Sequence, residues 1–366
     1  MTHNPFPSSW LITGGAGFIG CNLIRRLVAE GVPYIRVLDN LSVGSRDDLK
    51  RVCAFNEVDF SSLQIPVVEV GGRTSVDGEK PSEAVIVDGL SHNSSSLIEL
   101  VVADIRDRAA CLYAAKDMEV IVHLAANTGV APSVENPRLD METNVIGTLN
   151  MLEAARQNRT KRFVFASSGA PVGECEPPIH EELAPHPVSP YGASKLAGEG
   201  YCSAYYRTFG VETVCLRFGN VYGPLSSHKS SVIAKFIRQA LASEVCEIYG
   251  DGNQTRDFIY VDDLFDAILK AAKIPVAGET FQIATNEERT ISQVAAMLAD
   301  RLEHSGNMMK LEYGASRAGD VKRNFSNTAK AMKLLGWTAK TTLDSGLGQT
   351  IEWFLRSHVH EVYRPE

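Results

Sequence analysis

The sequence predicts an α/β fold, a doubly wound parallel sheet with a smaller C-terminal α/β substrate-binding domain, on three observations. Short apolar runs alternate with segments of helical spacing; one of those runs opens straight into a glycine-rich turn; and the later part of the chain turns to polar turns carrying fixed cations. A chain of 366 residues has room for one large and one smaller unit. Its 44% apolar and 22% charged residues are ordinary for a globular protein. A net charge of −8 without any Lys- or Arg-rich block argues against nucleic acid or an anionic membrane as partner. No apolar run is long enough to span a bilayer, and Met1 to Ser9 lacks the basic start and apolar core of a signal peptide, so a cytoplasmic location is expected. Seven cysteines scattered singly, with no C-x-x-C pair and no clustered histidines, make neither a disulfide framework nor a metal site.

Trp10-Leu11-Ile12-Thr13 reads as the first strand. Gly14-Gly15-Ala16-Gly17-Phe18-Ile19-Gly20 follows at once, and Leu23, Ile24, Leu27 and Val28 then recur at helical spacing. Strand, glycine turn, helix is the order a dinucleotide site requires. Glycines let the backbone turn tightly and approach a pyrophosphate, while the helix N-terminus offers free N–H groups and the positive end of its dipole. Gly31 marks the helix stop, and Tyr34 to Leu38 makes a second strand ending in Asp39. A carboxylate there can accept from ribose hydroxyls and would repel a 2′-phosphate, which favours NAD over NADP; a simple turn or capping role is the alternative. From about Phe55 to Ser96 loop compositions take over, separated by β-like runs at 65–70 and 84–87, and the stretch reads as an insertion between the second and third core strands.

The core resumes with Leu97 to Ala103 and then Val120 to Ala126, a strand running into small residues that let a ligand lie against backbone. Helical spacing covers Leu139 to Gln157, with Asn144 inside it. Arg162 to Ala166 is the next strand and delivers Ser167, Ser168 and Gly169. Ligands of doubly wound sheets lie outside the carboxyl ends of the strands, so Gly14 to Gly20, Asp39, Ala125 and Ser168 should converge. A proline-rich loop then leads into Ser189-Pro190-Tyr191-Gly192-Ala193-Ser194-Lys195, a helix start that stacks Tyr191 and Lys195 on one face. An ammonium beside a phenol favours the phenolate, the form able to act as a base; the same pair, taken alone, is also what an exposed helix face carries. A strand over Val211 to Arg217 and helices over Val232 to Leu241 and Leu264 to Ala272 complete the pattern.

With the glycine turn, Ser168, Tyr191 and Lys195 in that order and spacing, the chain resembles the extended short-chain dehydrogenase/reductase family, specifically its nucleotide-sugar epimerases and dehydratases. Further segments carry the resemblance: Asp39-Asn40-Leu41-Ser42, Asp104-Ile105-Arg106-Asp107, His123-Leu124-Ala125-Ala126, Asn144-Val145-Ile146-Gly147-Thr148, Arg256-Asp257-Phe258 and Arg317-Ala318-Gly319-Asp320. The resemblance implies a Rossmann domain over residues 1–188, and over 189–366 its last elements interleaved with a nucleotide-sugar domain. It implies NAD as cofactor, held by Gly14, Gly17, Phe18, Ile19 and Gly20, by Asp39, Asn40 and Ser42 at the adenosine ribose, by Asp104 and Ile105 at the adenine, and by Leu124, Ala125 and Ala126. Tyr191 would be the general base or acid on the sugar hydroxyl, Lys195 would hold the nicotinamide ribose and lower the tyrosine pKa, and Ser168 would bond the same hydroxyl. Ser133, Asn144, Asn220, Arg256, Arg317 and Asp320 would contact the substrate, a UDP-sugar above other nucleotide sugars. Arginines suit the diphosphate because their planar fork matches its oxygens. A homodimer built from helices near 107–117 and 139–157 is also implied.

Within that family, dehydratases and UDP-glucuronate decarboxylases carry an acid just beyond the hydroxyl residue of the strand. Here Gly169-Ala170-Pro171-Val172 follows Ser168, with no carboxylate, which argues for a 4-epimerase working by transient oxidation at C4. Pro171-Val172-Gly173 also stands where the family has Val-Tyr-Gly, and Glu174 and Glu176 remain as displaced acids. A UDP-glucuronate decarboxylase or another epimerase or dehydratase of the family is the alternative, and a non-catalytic NAD-binding regulator a third reading.

Overall fold

Every residue of the first strand is buried, as a central parallel strand covered on both faces must be. In the computed structural model, which describes residues 7–60, 96–316 and 321–362, this strand is β1 (Ser9–Thr13). It is followed by α1 (Phe18–Ala29), β2 (Tyr34–Asp39), α2 (Arg46–Lys50), β3 (Asn56–Val58), β4 (Leu97–Val102), α3 (Arg108–Ala115) and β5 (Val120–His123). Next come α4 (Val130–Glu135), α5 (Pro137–Met141), a π-helical turn (Glu142–Ile146), α6 (Gly147–Gln157), β6 (Arg162–Ser168), α7 (Pro190–Phe209) and β7 (Thr213–Phe218). The remainder is β8 (Asn220–Tyr222), α8 (Val232–Leu241), β9 (Val245–Tyr249), β10 (Thr255–Arg256), β11 (Phe258–Tyr260), α9 (Val261–Lys273), β12 (Thr280–Ile283), β13 (Arg289–Thr290), α10 (Ile291–His304), β14 (Lys310–Gly314) and, after a π-helical turn at Ala331–Leu335, α11 (Leu343–Val362).

Eight of these strands form one sheet in the order β12-β7-β6-β5-β1-β2-β4-β3, and every pairing in it is parallel. The chain moves outward from β1 through β2 and β4, then returns to place β5 on β1's other side. That reversal is the switch point where doubly wound sheets open a crevice. The register brings the carboxyl ends level there: Thr13 pairs with Leu38 on one side and with His123 on the other, and Ser168 pairs with Phe218. Side chains of β1 alternate with the pleat. Trp10 and Ile12 enter the core that holds Ile24 and Leu27 of α1 and Phe265 and Ile268 of α9. Leu11 enters the opposite core with Cys111 of α3, Met151 of α6 and Cys202 of α7.

Local chemistry explains the long helix that carries the tyrosine. The Ser189 side chain accepts from Gly192 N at 3.1 Å as N-cap, Pro190 takes the first helical position, and Gly210 ends the helix with φ +72. Three expectations change. The strand over Val120 to Ala126 stops at His123, because the Leu124 and Ala125 amides turn to Thr13, donating to its carbonyl and its hydroxyl. The helix over Leu139 to Gln157 begins at Pro137 and is wound as π over Glu142–Ile146. Asn56–Val58, at the start of the stretch read as an insertion, adds an edge strand beside β4; the β-like runs at 65–70 and 84–87 lie outside the described residues. The second half of the chain supplies β7 and β12 to the large sheet and builds three two-stranded pairings of its own, β8 with β11, β10 with β13 and β9 with β14. Among the described residues no helix is long and apolar enough to cross a membrane.

Candidate active site

The glycine turn is built for close approach. Gly14 adopts φ +67, and a Cβ on it would lie 2.8 Å from Ala125 N; a Cβ on Gly20 would lie 2.4 Å from Gly15 Cα. Gly17 is the N-cap of α1 and brings no side chain to cover the helix N-terminus, so the first N–H groups of Phe18 and Ile19 stay available to an anion. A cradle that any side chain would fill, ending on an uncapped helix, fits the pyrophosphate of a dinucleotide.

Asp39 stands at the end of β2, 8% exposed. Its Oδ2 accepts from Ala16 N at 2.9 Å and its Oδ1 from Leu41 N at 2.8 Å, so the carboxylate also ties the glycine turn to the next loop. Burial pushes its pKa up and these two amides pull it back. A carboxylate has about four acceptor positions, which leaves capacity for ribose hydroxyls. Asn40 Nδ2 donates to Asp104 Oδ2 at 2.8 Å, and Ser42 N donates to Asn40 Oδ1 at 3.1 Å. Asp104 is held down to about 2, chiefly by the Arg106 guanidinium. Ile105 is buried against Gly147. These residues, with Leu124, Ala125 and Ala126 beyond β5, gather along the carboxyl edge.

Lys195 is 4% exposed and donates to Ala166 O of β6 at 2.8 Å. Its Nζ lies 4.9 Å from the centre of the Phe165 ring and 6.0 Å from that of Tyr191. The lysine therefore spans from α7 to the strand end that carries Ser168, whose Oγ accepts from Ala170 N at 3.2 Å. Burial pushes Lys195 down to about 8, against the pull of the Asp140 and Glu199 charges. The spacing of Tyr191 and Lys195 suggests a lowered tyrosine, but the protein's own groups do the opposite: burial pushes Tyr191 up to about 12, the Ser168 hydroxyl only partly offsets this, and the Asp140 charge adds to it.

Asn144 is 1% exposed and fully engaged: Nδ2 donates to Asn127 O at 3.0 Å and Asp140 Oδ1 at 2.9 Å and lies 3.1 Å from Ser194 Oγ, while Oδ1 accepts from Asn127 N at 2.8 Å. Ser133 is enclosed on α4 with its hydroxyl donated to Val130 O at 2.7 Å. Both hold backbone in the region where the sequence suggests substrate contacts. Asn220 and Arg256 line a cavity of about 250 Å³ together with Lys235, Tyr249 and Gln254, and Arg256 Nη1 donates to Val321 O at 2.7 Å. Tyr191 is not among that cavity's walls. Arg317 and Asp320 lie outside the described residues.

Three groups that sequence reasoning passed over complete the site. His123 bridges Thr13 Oγ1 at 2.8 Å and Thr148 Oγ1 at 3.1 Å, and full burial pushes it down to about 3, so it is a neutral strut. Glu199, one turn after Lys195, accepts from Arg217 Nε and Nη2 at 2.8 and 2.7 Å and from Ser167 Oγ at 2.5 Å. Asp140 is buried beside the Tyr191 turn. Its spacing from Asn144, four positions on a helix, was the available signal. Among the described residues no group of His, Cys, Asp or Glu gathers to hold a metal ion.

The family model described as "NAD dependent epimerase/dehydratase family" matches residues 10–284. The chain belongs to that family. The UDP-glucose 4-epimerase of Mycolicibacterium smegmatis is 32% identical, the match covering 94% of this chain and 97% of the relative. The crystal structure of UDP-glucose 4-epimerase with UDP-glucose from Thermotoga maritima superposes with a TM-score of 0.78 at 31% identity, covering 96% of this chain and 99% of that one. The dTDP-glucose 4,6-dehydratase from Streptomyces venezuelae, solved with NAD bound, gives a TM-score of 0.78 at 27% identity over 96% of this chain and 98% of that one. NAD is thus the cofactor of an epimerase/dehydratase enzyme, and the glycine cradle described above has the shape to accept it.

Proposed function

We propose that this protein is a nucleotide-sugar 4-epimerase whose substrate is a UDP-hexose. The observation that carries the reading is the strand end at β6: Lys195 is tied to Ala166 O there, Ser168 follows two residues later, Tyr191 lies one turn before the lysine, and no carboxylate occurs from Gly169 to Gly173. With one proton-transfer side chain and no second acid, the reaction that asks least of the site is removal and return of hydrogen at a single carbon. NAD, when bound, supplies a reversible two-electron acceptor. Tyr191 takes the proton of the sugar 4-hydroxyl and later gives it back, Ser168 holds that hydroxyl, and Lys195 supplies the positive charge that a phenolate needs. Glu176, a candidate displaced acid, is paired with Arg323 at 2.6 Å, which weighs against a dehydratase or decarboxylase.

At the other end, Asn220 and Arg256 are assigned to the diphosphate and the cavity they line to the nucleotide, with Arg317 and Asp320 as further contacts. Asp39, Asn40 and Ser42 are assigned to the adenosine ribose of NAD, and Asp104 and Ile105 to its adenine. A cytoplasmic homodimer is part of the reading; Leu139, Met141 and Ile146 are exposed apolar residues on the helix assigned to its interface. Product NMR after incubation with UDP-glucose, UDP-N-acetylglucosamine or UDP-glucuronate tests the assignment. Inversion at C4 with no loss of water or carbon dioxide is expected; a 4-keto-6-deoxy sugar or a pentose would overturn it.

A further inference from the structure

Asp140 is a charged group that the proposed chemistry leaves unused. It is 1% exposed; its Oδ1 accepts from Asn144 Nδ2 at 2.9 Å and its enclosed Oδ2 meets no donor within hydrogen-bond geometry, and burial pushes its pKa up while the nearby Ser194 hydroxyl and the Lys195 charge pull it back. Asn144 Nδ2 lies 3.1 Å from Ser194 Oγ, and Ser194 Oγ donates to Tyr191 O at 3.0 Å. One line of contacts thus runs from α5 to the first turn of α7, where the tyrosine sits. A buried carboxylate left half satisfied is costly, and a neutral side chain of the same shape would keep the Asn144 contact at less cost. The charge is therefore the part that needs a purpose, and its surroundings supply one. From α7, Lys195 and Tyr191 both feel its charge. On its own helix Arg138 pairs outward with Glu142 at 2.8 Å, and α4 carries only the exposed Glu135.

We propose that Asp140 is a positioning residue for the Tyr191–Lys195 pair, holding the tyrosine turn through Asn144 and Ser194 and setting a buried negative charge beside it. Burial drives Lys195 towards its neutral form, and the Asp140 charge is the strongest influence opposing that drift. The proposal rests on the reading of Tyr191 as the proton-transfer residue.

The test uses the purified full-length protein with its cofactor. Phenolate absorbance is titrated for Lys195→Met, in which no ammonium titrates beside the phenol, and for Lys195→Met carrying Asp140→Asn, each corrected by its own Tyr191→Phe counterpart so that only Tyr191 is read. Removing the charge should lower the Tyr191 midpoint by about one pH unit, and Asp140→Glu, which restores the charge, should bring it back. Equal phenolate fractions in Lys195→Met with and without Asp140→Asn across the neutral to alkaline range would overturn the proposal, as would Asp140→Glu behaving like Asp140→Asn in that background. Asp140→Ser, neutral and smaller, carries the same comparison should Asp140→Asn not fold. Failure of the epimerase reading would show separately, as unaltered turnover in Tyr191→Phe with the absorbance shift still present.

Discussion

Lys195 and Glu199 sit one turn apart on α7, at 4% and 8% exposure, yet their surroundings treat their charges oppositely. Glu199 is saturated: Arg217 grips both its oxygens and Ser167 donates a third hydrogen bond. Lys195 meets one neutral carbonyl and two aromatic faces. A bidentate pair fixes geometry, whereas an ammonium without a carboxylate in contact is left near its titration point, at about 8. The helix thus joins a rigid anchor to a poised charge, and the anchor holds β6, β7 and α7 in register so that the poised charge stays beside Ser168 and Tyr191.

Breaking the poised turn should have the largest effect. Tyr191→Phe should cut epimerase turnover by about 10²–10⁴-fold, measured by steady-state assay, with NAD content of the purified protein unchanged. At the anchor, Glu199→Gln strands the buried Arg217 guanidinium, and urea unfolding should register a loss of about 3–5 kcal/mol. Lys195→Met sharpens the contrast through its pH dependence. Below about pH 8 both folded and unfolded parent carry the proton, and the fold bears the full cost of a buried ammonium. As pH rises from about 8 to 10.5 the folded state gives up its proton first, and that cost fades. Lys195→Met should therefore unfold at higher urea than the parent below about pH 8 and lose the advantage towards pH 10.5; a constant difference across that window would contradict the poised-charge account. The smallest effect belongs further along α7, where Tyr205 Oη donates to Glu153 Oε1 at 2.6 Å in a partly exposed cluster with Arg156. Glu153→Gln should cost about 1 kcal/mol or less in the same unfolding assay.

Features whose cause is local were legible in the sequence. The glycine turn, the apolar strands, the Ser-Pro entry to α7 and the Tyr191–Lys195 spacing each depend on residues within a few positions, and their order predicts the parallel sheet and its carboxyl-edge convergence. What escaped depends on partners distant in the chain. His123 is a strut only because Thr13 and Thr148 come to either side of it. Asn144 and Asp140 belong together on one helix face, but Ser194, which Asn144 meets, is fifty positions on from it. The Tyr191 pKa escaped for a different reason: spacing brings the ammonium near the phenol, but the burial that pushes the phenol up is set by the packing of α7 and no period in the sequence reports it. The extent of the π-wound turn before α6 escaped for the same cause, since helical spacing alone does not separate it from the α-helix it interrupts.

The central claim, that one proton-transfer residue suffices because hydrogen leaves and returns at a single carbon, is tested most directly with UDP-glucose deuterated at C4. The account predicts a product inverted at C4 that keeps deuterium on that carbon and takes up none of the solvent's hydrogen there. Deuterium found at C6 of a 4-keto-6-deoxy product, or lost to solvent, would contradict it.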